Sequence, residues 1–91
     1  MELNDIRLQI DDIDSQILKL FCERMELVKD VAEFKLKNGM PVLRPEREAD
    51  ILKRVKLEGD TFTAGLGGYA VRVFETLMEV SREMQQGLIE K

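Results

Sequence analysis

The sequence predicts an all-α fold of three helices, one long, one short and one medium, in a single domain that covers residues 1–91. Two observations carry this prediction. Apolar residues recur at steps of three and four, the period of amphipathic helices, and nowhere alternate as they do in strands. Residues that favour turns cluster in two short stretches, at 38–45 and 59–68.

The first helix is predicted from about Asp5 to Lys37, with Asn4 as its N-cap. No Gly or Pro interrupts this stretch, and the Asn38-Gly39 pair that follows is a common helix stop. Its apolar stripe consists of Ile6, Ile10, Ile13, Ile17, Leu20, Val28 and Val31.

The second helix is predicted from Pro45, which suits the first helical position, to about Glu58-Gly59. A turn-rich connection follows at 60–68. The third helix is predicted from about Gly68 to Leu88, and its apolar face includes Ala70, Phe74, Leu77 and Leu88.

The length of the first helix predicts a second copy of the chain. About 33 residues at 1.5 Å each reach roughly 50 Å. A compact domain of 91 residues has a diameter of only roughly 32 Å. Because the apolar stripe continues to Val31, the overhanging part needs a cover, and the simplest is a second copy packed about a two-fold axis.

Composition excludes several function classes. The chain has no His and a single cysteine, Cys22, so neither a His-dependent triad nor a common zinc site can be built. The net charge of -4 gives no basic field for nucleic acid or an anionic membrane. We expect no nucleic-acid or membrane partner. The acidic start of the chain and the lone cysteine favour a cytoplasmic protein.

Polar side chains interrupt the apolar faces. Arg24 and Lys35 fall within about 20° of Ile6 around the first helix. Ser81 and Gln85 occupy positions of the third helix where a continuous core would carry Leu or Ile. A long cation can reach solvent from a core edge, and a satisfied core serine is common. A buried glutamine with four hydrogen-bonding positions is harder to satisfy.

The second helix adds Arg47 and Glu48, which taken alone could simply decorate a solvated first turn. Together, the polar groups of the three helices describe a pocket in which cations outnumber carboxylates. Such a pocket would hold a small anion, with carboxylates that Arg grips through paired hydrogen bonds.

Three segments carry a family resemblance that covers almost the whole chain. They are IRLQIDDIDSQILKLFCERMELVKDVAEFK at 6–35, PVLRPERE at 41–48 and FETLMEVSREMQQ at 74–86. In these segments the sequence resembles the all-helical chorismate mutases. The resemblance implies an intertwined homodimer of three-helix chains with two sites, each lined by both subunits. The reaction would convert chorismate to prephenate on the shikimate route to phenylalanine and tyrosine, with neither metal nor cofactor.

The resemblance also implies residue roles. Arg24 and the partner subunit's Arg7 would bind substrate carboxylates, with help from Ser81. Lys35 and Gln85 would hydrogen-bond the ether oxygen, where negative charge grows in the transition state.

In the same way, Arg47 would lie against the substrate and Glu48 would accept a hydrogen bond from its ring hydroxyl. Family members often carry an acid three places before the residue that Arg47 matches. Here that place is Arg44, whose side chain could also help to draw in the dianion.

Helix geometry supports the division of the site between chains. Arg7 and Arg24 are 17 residues apart, which is about 25 Å along one helix and too far for both to grip one small dicarboxylate. If two first helices cross antiparallel near residue 18, Arg7 of one lies beside the midpoint of Arg24 and Lys35 of the other.

Two alternatives remain open from the sequence. One is an isochorismate-pyruvate lyase, a relative with the same fold and a similar cationic pocket. The other is a helical dimerisation module without catalytic activity, for which the inward Lys35, Ser81 and Gln85 would be unexplained costs.

Overall fold

Three helices follow one another in the computed structural model, which describes residues 1–90. They are α1 (Leu3–Lys37), α2 (Pro45–Phe62) and α3 (Gly67–Ile89). None of the described residues forms a strand, which confirms the predicted all-α class. α3 packs against both of the other helices. Within the same residues, no helix combines the length and apolar character that a membrane crossing needs.

α1 is 35 residues long and starts two residues earlier than predicted. The predicted N-cap, Asn4, is wrong: this residue lies inside the helix, and Glu2 precedes the first turn. The predicted stop is confirmed at the other end, where Gly39 adopts a φ of 63° in the left-handed region that favours glycine. The Asn38 side-chain amide donates to the carbonyl of Phe34 at 2.8 Å and so satisfies one of the last carbonyls of the helix.

α2 continues to Phe62, past the Glu58-Gly59 pair at which the sequence predicts its end. The reason is a close helix contact. A Cβ atom at Gly59 would lie 2.9 Å from the Cα atom of Gly67, so only glycine lets the two backbones approach this closely. Gly59 therefore serves the packing of α2 against α3 and does not end the helix.

The connection between α2 and α3 is correspondingly short. It spans residues 63–66 and turns through Gly65, at a φ of 89°. The Asp60 carboxylate accepts a hydrogen bond from Lys56 and another, at 2.8 Å, from the backbone N–H of Gly67 at the start of α3. These bonds hold the pKa of Asp60 below its ordinary value, the Lys56 bond being the larger cause.

The chain by itself buries little apolar surface. Its buried apolar side chains within residues 1–90 are Val28, Ala32, Val55 and Met78. Residues 3–20 of α1 are all exposed. The Cα radius of gyration is 16.2 Å and the long dimension 54 Å, against a radius of about 13 Å for a compact chain of about 100 residues. The predicted overhang of the first helix is confirmed.

Candidate active site

A cavity of about 390 Å³ lies among the three helices. Seven of the eight residues singled out from the sequence line it. They are Arg24, Lys35, Arg44, Arg47, Glu48, Ser81 and Gln85. The second half of α1, the first turn of α2 and the second half of α3 therefore meet at one place, although these segments are far apart in sequence.

Arg24 is held by Ser81. Its Nη1 atom donates to the Ser81 Oγ atom at 2.5 Å, and that hydroxyl donates in turn to the carbonyl of Leu77 at 2.7 Å. Ser81 is buried, with 5% of its surface exposed. The serine is satisfied by its own helix and also orients the guanidinium, whose remaining N–H groups are available for an anion.

Lys35 and Gln85 form a second pair. The Lys35 ammonium donates to Gln85 Oε1 at 2.8 Å and to the carbonyl of Val42 at 2.7 Å. Gln85 is buried at 6% exposure. Because its oxygen is engaged by Lys35, the amide nitrogen remains as a donor, and Lys35 keeps a third N–H. Two hydrogen-bond donors thus stand next to each other at the wall of the cavity.

The electrostatic surroundings lower the pKa of Lys35. Burial of the ammonium is the largest cause and the nearby positive charge of Arg44 is the second, while the Glu48 carboxylate acts in the opposite direction. A negatively charged ligand placed beside Lys35 would therefore be attracted by the ammonium and by the neighbouring Arg44 guanidinium.

Glu48 pairs with Arg82, a residue that does not stand out in the sequence pattern. Arg82 of α3 donates through Nη1 to Glu48 Oε1, and Arg82 also lines the cavity. It lies outside the series Phe74, Leu77, Ser81 and Gln85 used to predict the inward face. The signal was present, since Arg82 is four residues after Met78 and three before Gln85, positions that share a helix face.

Arg44 and Arg47 lie at the exposed rim of the cavity. Arg44 immediately precedes the first turn of α2, and its carbonyl accepts the backbone N–H of Glu48 at 3.1 Å. The backbone at this position therefore starts the helix, and the guanidinium beside it adds positive charge at the entrance.

Charge in the cavity is unevenly divided. Five of its lining side chains are cationic and one is a carboxylate. The cations are Arg24, Lys35, Arg44, Arg47 and Arg82. In a chain whose formal charge is -4, this concentration favours a small anionic ligand and disfavours a cationic one.

Arg7 does not reach the cavity of its own chain. It is exposed near the start of α1 and is absent from the cavity lining. The structure thus brings together every residue singled out from the sequence except the one expected from a partner subunit.

An apolar groove adjoins the cavity at Arg24, which lines both. The groove has a volume of about 620 Å³ and lies between the middle of α1 and the first half of α3. Its apolar walls are Ile17, Leu18, Leu20, Phe21, Val73, Phe74 and Leu77. We refer to this surface as the α1–α3 groove.

Known proteins resemble this chain along most of its length. Residues 6–86 match the family described as chorismate mutase type II. The chain is 37% identical to the chorismate mutase of Methanocaldococcus jannaschii, over 99% of this chain and 90% of that protein. No solved structure matches the chain at a significant level.

Longer relatives match as well. The T-protein of Enterobacter agglomerans is 38% identical over 90% of this chain, and the bifunctional chorismate mutase/prephenate dehydratase of Escherichia coli K12 is 33% identical over 94%. The chain spans only 21% and 22% of those two proteins. The family match over residues 6–86 and the match to the Methanocaldococcus jannaschii enzyme decide the assignment: the chain belongs to the chorismate mutase type II family.

Proposed function

We propose that the chain is a chorismate mutase, which converts chorismate to prephenate in aromatic amino acid biosynthesis. The observation that carries the proposal is the Lys35 and Gln85 pair, two adjacent donors at the wall of a cationic cavity in a chain of this family. The reaction is a unimolecular rearrangement in which a carbon–oxygen bond breaks as a carbon–carbon bond forms. Since no proton is transferred, the lack of histidine is no obstacle.

Lys35 and Gln85 would act on the ether oxygen of the substrate. Negative charge grows on that oxygen as its bond to carbon breaks. The third N–H of Lys35 and the amide N–H of Gln85 are fixed beforehand by the Lys35–Gln85 bond, so little reorganisation accompanies the reaction. Donors of this kind stabilise the transition state more than the ground state, which is the condition for a faster reaction.

Arg24 would bind a carboxylate of the substrate, and its hydrogen bond to Ser81 supports this role because it fixes the guanidinium. Glu48 would accept the hydrogen bond of the ring hydroxyl. Arg47 and Arg44, at the rim, would lie against the substrate and attract it. Holding the flexible substrate in a compact conformer would contribute further to the rate.

We also propose that the active unit is a homodimer to which the partner subunit's Arg7 is essential. The support is the exposed apolar stripe of residues 3–20 together with the α1–α3 groove. A second copy of the chain could pack its own apolar stripe into this groove, next to Arg24. An antiparallel crossing of two α1 helices near residue 18 would carry the partner's Arg7 towards Arg24 and Lys35. Such a dimer would be expected in the cytoplasm, in keeping with its single cysteine.

Turnover assays test the reaction. Purified protein is incubated with chorismate and, separately, with isochorismate, and prephenate and pyruvate are measured. We expect prephenate from chorismate. Pyruvate from isochorismate without prephenate from chorismate would instead make the chain an isochorismate-pyruvate lyase, and turnover of neither substrate would favour a dimerisation module.

Mixing two inactive variants tests the shared site. Arg7→Ala and Arg24→Ala chains are refolded together, with each variant alone as control. Random pairing makes half of the dimers mixed, and each mixed dimer has one intact site, so about a quarter of wild-type activity should return. If mixing restores no activity, the Arg7 and Arg24 of one active site are not supplied by different chains.

A further inference from the structure

Arg82 is the charged side chain of the cavity lining that has no role in the function proposed above. Arg82 comes directly after Ser81 on α3, and Glu48 lies in the first turn of α2. The guanidinium donates to Glu48 Oε1. The two side chains are partly shielded, with 33% and 23% of their surfaces exposed.

The position of the pair argues against a purely structural bridge. α2 and α3 already pack through the close approach of Gly59 and Gly67 at their other ends. An ion pair with this much exposure adds little to stability. Both of its members, however, line the cavity in which the substrate would lie.

Without Arg82, Glu48 would have several competing partners. Lys35, Arg44 and Arg47 line the same cavity, and the charge of Glu48 acts on Lys35 strongly enough to counter part of the fall in that lysine's pKa. In the structure, however, the Lys35 ammonium bonds to Gln85 and the Val42 carbonyl. The bond from Arg82 therefore selects one position of a carboxylate that several cations could otherwise attract.

We propose that Arg82 is a positioning residue that fixes the Glu48 carboxylate for recognition of the substrate's ring hydroxyl. Oε1 is held by the guanidinium, which leaves Oε2 as the acceptor for the hydroxyl. Because the acceptor is fixed in place, it distinguishes a hydroxyl on one ring carbon from a hydroxyl on another. Arg82 thereby contributes to recognition of the ring hydroxyl through Glu48. This inference rests on the proposed function.

The test compares two substrates, chorismate and an analogue that lacks the ring hydroxyl. The variant is Arg82→Met, which keeps an unbranched side chain of good helix propensity and removes the donor. Arg82→Lys restores a charge at shorter reach, and Arg72→Ala, an exposed arginine of the same helix outside the cavity, is the matched control. Thermal unfolding and sedimentation verify that each variant is folded and assembled as the wild type is.

We expect Arg82→Met to lower kcat/KM for chorismate by about tenfold or more, because the substrate hydroxyl loses an oriented hydrogen bond to a charged group. Arg82→Lys should recover part of this loss. The loss on the analogue should be less than about twofold, because no hydroxyl is present to be recognised. In a Glu48→Gln background, Arg82→Met should add little further loss. Arg72→Ala should match the wild type on both substrates.

Two results would overturn the inference: equal losses on the two substrates, or no loss on chorismate. A wild-type chain that fails to convert chorismate would instead overturn the proposed function, so the two failures are distinguishable. If Arg82→Met does not fold, Arg82→Lys gives the same comparison between substrates at smaller amplitude.

Discussion

The two halves of α1 differ in how far the chain itself covers them. In the second half, Val28 and Ala32 are buried at 9% and 2% exposure because α3 covers them. In the first half, Ile13 and Ile17 are 54% and 59% exposed. The comparison teaches that periodicity identifies a face to be covered but does not say which chain covers it.

The first half of α1 should be the more sensitive to a buried charge, even though it is exposed in the single chain. In Ile17→Asp, both copies would place a carboxylate in the proposed interface, raising the dimer dissociation constant about a thousandfold or more. Sedimentation measures the assembly. Mutase activity should fall with it, because the partner's Arg7 is lost.

Ser15→Asp is the matched control for this prediction. Ser15 lies about 180° from the stripe around α1 and is exposed, so its substitution should leave the dimer intact. An Ile17→Asp chain that stays dimeric at the same concentration would show that the first half of α1 is not the interface.

Substitutions of site residues in the second half of α1 should lower catalytic activity and leave the dimer intact. Lys35→Ala and, on α3, Gln85→Ala should each lower kcat by about 100-fold or more, since each removes a donor to the ether oxygen. The dimer should persist in both. Lys29→Ala, on the same helix but outside the cavity, should retain activity. Near-normal turnover in either of the first two variants would contradict their assignment to the ether oxygen.

The smallest predicted effect is a shift of the pH profile. The pKa of Lys35 is lowered by burial first and by Arg44 second, so the protonated lysine, and activity with it, is lost as pH rises through this lowered value. Arg44→Ala removes one lowering influence and should move the alkaline limb of kcat/KM to higher pH. Arg54→Ala, an exposed arginine of α2 outside the cavity, should not move it.

Glu48→Gln should shift the alkaline limb of the pH profile in the opposite direction. It removes the charge that raises the pKa of Lys35, so the alkaline limb should move to lower pH. An alkaline limb that moves in the same direction in Arg44→Ala and Glu48→Gln would show that Lys35 is not the group that titrates.

Much of the fold could be predicted because the helices are long and strongly periodic. The boundaries were less predictable. Gly59 is a stop signal by local propensity, yet it lies inside α2 because Gly67 packs against it. Asn4 has good capping chemistry, yet the helix begins before it. In both cases the local preference did not decide the helix boundary. At Gly59 a contact between two helices decided it, and such a contact cannot be read from the linear sequence.

The site was predictable to a similar degree. Arg24, Lys35, Ser81 and Gln85 stood out because polar groups on apolar faces are costly and so draw notice. Arg82 did not, because its position on the edge of the inward face is compatible with solvent. Its significance depends on Glu48 lying opposite, which is a property of how α2 packs against α3.

The sequence by itself determined the helical class, the approximate order and length of the helices, the cationic character of the pocket and the need for a cover on α1. These follow from composition and from a period that each helix carries alone. Only the tertiary structure decided which donors pair with which acceptors, so that Lys35 bonds to Gln85 while Glu48 bonds to Arg82. The physical reason is that hydrogen bonds act over about 3 Å, and only the packing of three helices brings residues that are 34 and 50 positions apart within that range.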